Sequence, residues 1–182
     1  MPLKSIAEEK VQHFTDSEWA DAVMEAEIRP LPWNSMAGRP GVAVGITGEK
    51  ETIKFLPPPL DYVATWSYEY DIVWRNLRID VKSLETSRRY CIPLTDLADV
   101  PKRQYDQHVC DVYLMTRVNV SLRKCWLIGW IFKGNLLDKG MGRLQKKDSK
   151  NAINNTNDFT YGEDTYIIEY GKLEPMYRLK EI

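Results

Sequence analysis

Apolar positions with a helical period predict one amphipathic helix near the start of the chain. Residues 14–28 (FTDSEWADAVMEAEI) repeat apolar side chains three and four positions apart, so these side chains share one helical face. Asp16 or Ser17 is suited to cap the first turn, and Pro30 and Pro32 end the helix. The predicted stripe consists of Trp19, Ala22, Val23 and Ala26.

Strand-type patterns follow further along the chain. Residues 68–83 alternate between apolar and polar positions and predict a β-hairpin, and the apolar runs at 111–120 and 124–132 predict two buried strands. Residues 165–179 predict a closing strand and a short terminal turn, whereas the polar segment 94–107 predicts a mixture of helix and loop. This order predicts an α/β domain, more narrowly an α+β domain, with a central mixed β-sheet flanked by helices.

The segment between the predicted helix and the hairpin is rich in glycine and proline. Within residues 29–60 we expect short strands at VAVGI (42–46) and ETIKF (51–55), followed by a stiff link at three consecutive prolines. A segment of about 30 residues is too small to form a core of its own. We therefore expect residues 1–182 to form a single domain, with an insertion at about 29–65.

The composition is that of an ordinary globular protein and narrows the function only slightly. Hydrophobic residues make up 43% and charged residues 28% of the 182 positions, and the net charge of −1 gives no overall basic field for nucleic acid. The three cysteines are widely spaced without a CxxC pair, which argues against a disulfide framework or a zinc site. The longest apolar run, 125–132, is too short to cross a bilayer, and the first residues lack the apolar segment of a signal peptide. We expect a cytoplasmic protein without a membrane partner.

The predicted hairpin places two acidic residues opposite each other. A two-residue turn at 75–76 pairs Trp74 with Leu77. The same register brings Asp71 opposite Asp80, and the alternation of side chains gives the hairpin one apolar and one mostly charged face. The apolar face consists of Ile72, Trp74, Leu77, Ile79 and Val81. The charged face consists of Asp71, Val73, Arg78, Asp80 and Lys82.

Facing aspartates indicate a cation. Opposite residues of a hairpin have β-carbons about 5 Å apart, and like charges at that distance destabilise a sheet. A divalent cation between Asp71 and Asp80 would turn this repulsion into binding, and carboxylate oxygens suit Mg²⁺ or Mn²⁺. Lys82 lies on the same face as Asp80 and is suited to stabilise developing negative charge or to position a water. The alternative is that Asp80 and Lys82 form a plain solvent-facing pair, because D-x-K is a short motif.

The spacing of these residues resembles the PD-(D/E)XK nuclease superfamily, in particular its small, phage-like members. Asp71 is followed after eight residues by Asp80-Val81-Lys82, and a helix with glutamates lies upstream. Tyr70 stands where the superfamily usually has proline. The resemblance implies a restriction-endonuclease-like fold and metal-assisted hydrolysis of DNA phosphodiesters. It implies Mg²⁺, with Mn²⁺ able to substitute, on Asp71, Asp80 and the Val81 carbonyl, and a catalytic role for Lys82.

The same resemblance implies further residues on both sides of the motif. A third acid is expected on the first helix, with Glu18 the first choice and Asp21, Glu25 and Glu27 as alternatives; a simple solvated face explains each of them equally well. Ser83, Arg88 and Arg89 follow the motif directly and are implied contacts to the DNA backbone. Members of the superfamily often act as homodimers, so this chain has DNA and a second copy as expected partners.

Two alternatives to a nuclease remain at this stage. One is a nucleic-acid-binding or structural phage or host module of the same fold without catalysis, and the other is an unrelated α+β protein. His108, close in sequence to Cys110 and Asp111, suggests a catalytic grouping. A histidine at the entry of a strand, making one hydrogen bond, is the simpler interpretation.

Overall fold

The computed structural model describes residues 11–29, 38–63, 69–85, 97–148 and 162–182. Within these ranges the helices are α1 (Asp16–Ile28), α2 (Gly38–Phe55), α3 (Lys102–Gln107) and α4 (Met176–Leu179), with 3₁₀ turns at Lys133–Leu137 and Tyr170–Lys172. The strands are β1 (Val11–His13), β2 (Leu60–Tyr62), β3 (Ile72–Trp74), β4 (Leu77–Glu85), β5 (Leu97–Pro101), β6 (Val112–Asn119), β7 (Lys124–Phe132), β8 (Arg143–Gln145) and β9 (Thr165–Glu169).

The strands form two sheets. The larger has the order β1-β7-β6-β4-β3-β2, in which β4 and β6 run parallel and the other neighbours antiparallel. The smaller is antiparallel, with the order β5-β9-β8. The chain passes from β4 to the parallel β6 through β5 and α3. The predicted α+β fold around a mixed sheet is therefore confirmed.

The large sheet lies between α2 on one face and the small sheet on the other. Val44 of α2 and Leu56, directly after the helix, pack in one core cluster with Val81 of β4. Ala98 of β5 packs with Tyr113 of β6 in a second cluster on the opposite face. Because side chains alternate along β4, the residues on either side of Val81 point away from α2, toward the layer between the sheets.

The β3–β4 hairpin has the predicted register. Ile72 pairs with Ile79 and Trp74 with Leu77, around a two-residue turn. Arg75 and Asn76 have φ of +47° and +64°, as a type I′ turn requires. Arg75 is an unusual residue for this conformation; its guanidinium stacks 4.5 Å from the Trp74 ring centroid and donates to the Lys180 carbonyl at 2.9 Å. These two contacts hold the turn in place.

The prediction of short strands at 42–46 and 51–55 is wrong, because both segments belong to the single helix α2. One of the glycines that suggest an irregular segment, Gly48, is required by packing. A β-carbon on Gly48 would lie 2.0 Å from Ser83 Oγ and 2.6 Å from Thr116 Oγ1, so only glycine allows α2 to approach β4 and β6 this closely. Tertiary packing overrides the low helix propensity of glycine here.

The other predicted elements have mixed outcomes. The predicted helix α1 is confirmed, although Thr15 rather than Asp16 or Ser17 is its N-cap. The buried strands β6 and β7 and the closing strand β9 are also confirmed. The polar segment before β6 contains α3 as expected, but also the strand β5, which was predicted as loop. None of the described helices is both long and apolar enough to cross a bilayer.

Candidate active site

Asp71 and Asp80 are held together by the backbone of the hairpin. Asp80 lies within β4, next to Tyr113 of the parallel strand, and is 4% exposed. Asp71 precedes β3; its N–H donates to the Ile79 carbonyl at 2.8 Å. Its Oδ2 accepts a hydrogen bond from the Val81 N–H at 2.7 Å. The side chain of Asp71 therefore reaches across the hairpin to the residue that follows Asp80.

The pKa of Asp71 reflects its burial and its charged neighbours. Burial is the largest influence that raises the pKa of Asp71 well above its usual range, followed by repulsion from Glu49 and from Asp80. The Lys82 ammonium and the Val81 N–H act in the opposite direction without cancelling these effects. An ionised Asp71 is thus under-compensated by the protein, which is the electrostatic situation that a bound cation would relieve.

Asp80 is in the opposite situation, since two donors meet on one of its oxygens. Lys82 Nζ lies 2.6 Å and His108 Nδ1 2.8 Å from Asp80 Oδ2. Burial opposes ionisation, but Lys82 and His108 outweigh it and hold the pKa of Asp80 well below its usual range. The side chains of Asp80 and Lys82 are only 5% and 15% exposed, so the pair is buried rather than solvent-facing.

Glu18, the expected helix acid, is not brought to the aspartates. Its Oε2 accepts a hydrogen bond from the Thr15 N–H at 2.6 Å, which completes the capping box of α1. Its Oε1 lies 2.7 Å from Lys54 Nζ. The structure therefore assigns Glu18 to the end of its own helix. The alternative Glu25 is likewise engaged, with Arg29 at 2.7 Å and Lys50 at 2.8 Å.

The helix acid that acts on Asp71 is Glu49 of α2, which sequence reasoning missed. Glu49 is 5% exposed, and its carboxylate repels an ionised Asp71 more strongly than Asp80 does. Both terminal nitrogens of Arg29 lie 3.1–3.2 Å from its carboxylate oxygens, and the Tyr62 hydroxyl donates to Oε2 at 2.6 Å. Its helix packs against α1 through Ala43 and Ile46, a contact that the local sequence pattern does not reveal.

The donor set fits a hard divalent cation bound by few protein ligands. The contacts described for these two carboxylates are all made by Oδ2, which leaves Oδ1 of each for a ligand. In the described part of the chain, no three His, Cys, Asp or Glu side chains are gathered for a metal. Mg²⁺ commonly uses one or two carboxylates and fills its other positions with water and phosphate oxygens, so two aspartates are sufficient. The Val81 carbonyl stays a predicted further ligand of the cation.

The implied DNA contacts are not supported at Ser83. Its hydroxyl accepts a hydrogen bond from Thr116 Oγ1 at 2.8 Å and packs against Gly48 of α2, so it faces the helix and is partly buried. Arg88 and Arg89 lie outside the described residues. His108 makes the single hydrogen bond that the simpler interpretation expected, but its partner is Asp80 of the site.

Comparisons with known proteins give this chain no family. No family model, no curated protein and no solved structure matches it. The nuclease resemblance therefore depends on the D…DxK residues themselves, and its implications enter below as a proposal.

Proposed function

We propose that the chain is a cytoplasmic, Mg²⁺-dependent nuclease of restriction-endonuclease-like fold that hydrolyses phosphodiester bonds in DNA. The observation that carries this proposal is the pair of aspartates on one hairpin, Asp80 buried and Asp71 partly buried, with the Lys82 ammonium 2.6 Å from Asp80. Burying two neighbouring carboxylates works against folding unless a partner compensates them. Ionisable groups placed in this way are typical of functional sites.

Each residue of the constellation has a defined task in this reaction. Asp71 and Asp80 would hold the cation through their carboxylates, and a bound Mg²⁺ or Mn²⁺ would supply a water of lowered pKa and offset phosphate charge. Lys82 places a positive charge beside Asp80, where it stabilises the extra negative charge of the transition state. Glu49 keeps the electrostatic potential at Asp71 negative and so favours the arrival of the cation.

The test is cleavage of plasmid and single-stranded DNA in Mg²⁺, in Mn²⁺ and in EDTA. Asp71→Asn, Asp80→Asn and Lys82→Ala are each expected to abolish cleavage. Asp16→Asn is the matched control, because Asp16 is 90% exposed and forms only a surface ion pair with Arg123. Metal-dependent cleavage that survives in all three site variants would overturn the assignment of these residues.

A non-catalytic module of the same fold is the second candidate, and one observation favours it. Oδ2 of Asp80 is already occupied by Lys82 and His108, as in a buried ion-pair network that serves structure alone. The module would be supported over the nuclease by two results together. The wild type would neither cut any of the DNA substrates nor bind Mn²⁺, and Asp80→Asn would lower the melting temperature.

A further inference from the structure

His108 is fixed in place by its backbone. It directly follows α3, where its N–H donates to the Gln104 carbonyl at 2.8 Å and its carbonyl accepts a hydrogen bond from Lys133 Nζ. Its side chain is only 14% exposed and lies against Asp80. Gln104 and Lys133, which hold the backbone of His108, both lie outside β4. The imidazole therefore approaches Asp80 from a separate part of the fold.

The direction of the hydrogen bond follows from the chemistry of the two groups. An ionised carboxylate only accepts hydrogen bonds, so His108 Nδ1 carries the hydrogen and donates it to Asp80 Oδ2 over 2.8 Å. A neutral imidazole is sufficient for this donation. The bond occupies Oδ2 and leaves Oδ1 as the oxygen that the carboxylate presents to a ligand.

We propose that His108 is a positioning residue for the cation site, a role that rests on the proposed metal-dependent function. Asp80 Oδ2 has two donors, but they differ in rigidity: Lys82 is a flexible chain on the same strand, whereas His108 is a ring anchored by Gln104 and Lys133. When Lys82 turns toward a phosphate, His108 keeps the Asp80 carboxylate in its orientation. Hydrogen bonds of this kind to a metal-ligating group contribute about 10–100-fold to metal affinity.

The experiment measures Mn²⁺ affinity by isothermal titration calorimetry, without DNA, on the full chain. His108→Leu removes the donor and is expected to weaken Mn²⁺ binding about 10–100-fold. His108→Asn is expected to stay within about threefold of the wild type, because the asparagine amide can donate from nearly the position of Nδ1. His13→Leu is the control at the other histidine of the chain, on β1 and exposed, and should leave the affinity unchanged.

The outcomes separate this inference from the proposed function. Equal affinities of wild type, His108→Leu and His108→Asn, with binding lost in Asp80→Ala, would overturn the role of His108 and leave the cation site standing. No Mn²⁺ binding and no DNA cleavage by the wild type would overturn both. If the leucine variant does not fold, His108→Gln replaces it, because its amide reaches the position of Nε2 instead of Nδ1; binding as tight as that of His108→Asn would then refute the role.

Discussion

Gly48 sets the distance between α2 and the strands that carry the candidate site. Replacing it with alanine would put a β-carbon 2.0 Å from Ser83 Oγ and 2.6 Å from Thr116 Oγ1. Measured against an ordinary contact of 3.4 Å, these distances are short by about 1.4 Å and about 0.8 Å. The two hydroxyls are hydrogen-bonded to each other at 2.8 Å, so turning them away breaks that bond. We expect α2 to move outward by about 1 Å, taking Glu49 with it.

The energy of this change can be estimated from opposing contributions. Alanine in place of glycine favours a helix by about 1 kcal/mol, and overpacking of a tight interior opposes folding by about 1–3 kcal/mol. Because both contacts at Gly48 are far below ordinary distances, we expect a net loss of about 1–2 kcal/mol. For a chain of this size, that lowers the melting temperature by about 2–8 °C. A displacement of about 1 Å at a catalytic constellation lowers the rate about 100-fold.

The assay pairs thermal unfolding with cleavage of plasmid DNA at saturating Mg²⁺. Gly45→Ala is the matched control, since its β-carbon meets only Glu49 Oε1 at 4.0 Å, an ordinary contact. It should gain about 1 kcal/mol of stability, which raises the melting temperature by about 2–4 °C. Shifts of the same sign in both variants would refute the close packing of α2 on β4. A destabilised Gly48→Ala that cuts DNA at the wild-type rate would refute the link between this spacing and the reaction.

Three further predictions test the hairpin. Asp71→Asn should raise the melting temperature of the metal-free protein by about 2–8 °C, a gain of about 1–2 kcal/mol. The pKa of Asp71 is raised in the folded state, so at neutral pH, above the pKa of the unfolded chain, this carboxyl opposes folding; an unchanged or lower melting temperature would contradict this. Mn²⁺ should raise the melting temperature of the wild type and EDTA should reverse the rise, with no response in Asp80→Ala. Asn76→Ala should lower stability by about 1 kcal/mol, because φ at this position is +64°, whereas Asp61→Ala on the neighbouring strand should change it little.

The hairpin was predictable because its determinants are local. The alternation of residues along β3 and β4 fixes which side chains are buried, and a turn at Arg75 and Asn76 fixes the register. Together these place Asp71, Asp80 and Lys82 without knowledge of the rest of the fold. The weakness of arginine as a turn residue is overcome by Trp74 and Lys180, and the contact with Lys180, 105 positions away in sequence, is not visible in the local sequence.

The helix α2 and its acid were not predictable from local patterns. Gly48 reads as a helix breaker, yet it is needed because Ser83 and Thr116 leave no room for a side chain. A segment of strands and loop offers Glu49 no place near Asp71, and the resemblance implies the third acid on α1 instead. The contact between His108 and Asp80 depends on the path through β5 and α3, which only the assembled fold reveals.

One edge of the larger sheet is a very short strand. The outermost strand β2 spans three residues, Leu60–Tyr62, and ends within the described residues on both sides. A short edge presents few unpaired N–H and C=O groups, so an extended segment of another chain finds little to pair with there. This edge is thereby protected against edge-to-edge aggregation, and a second copy of the chain that meets it would have to associate through side-chain surfaces rather than by pairing with β2.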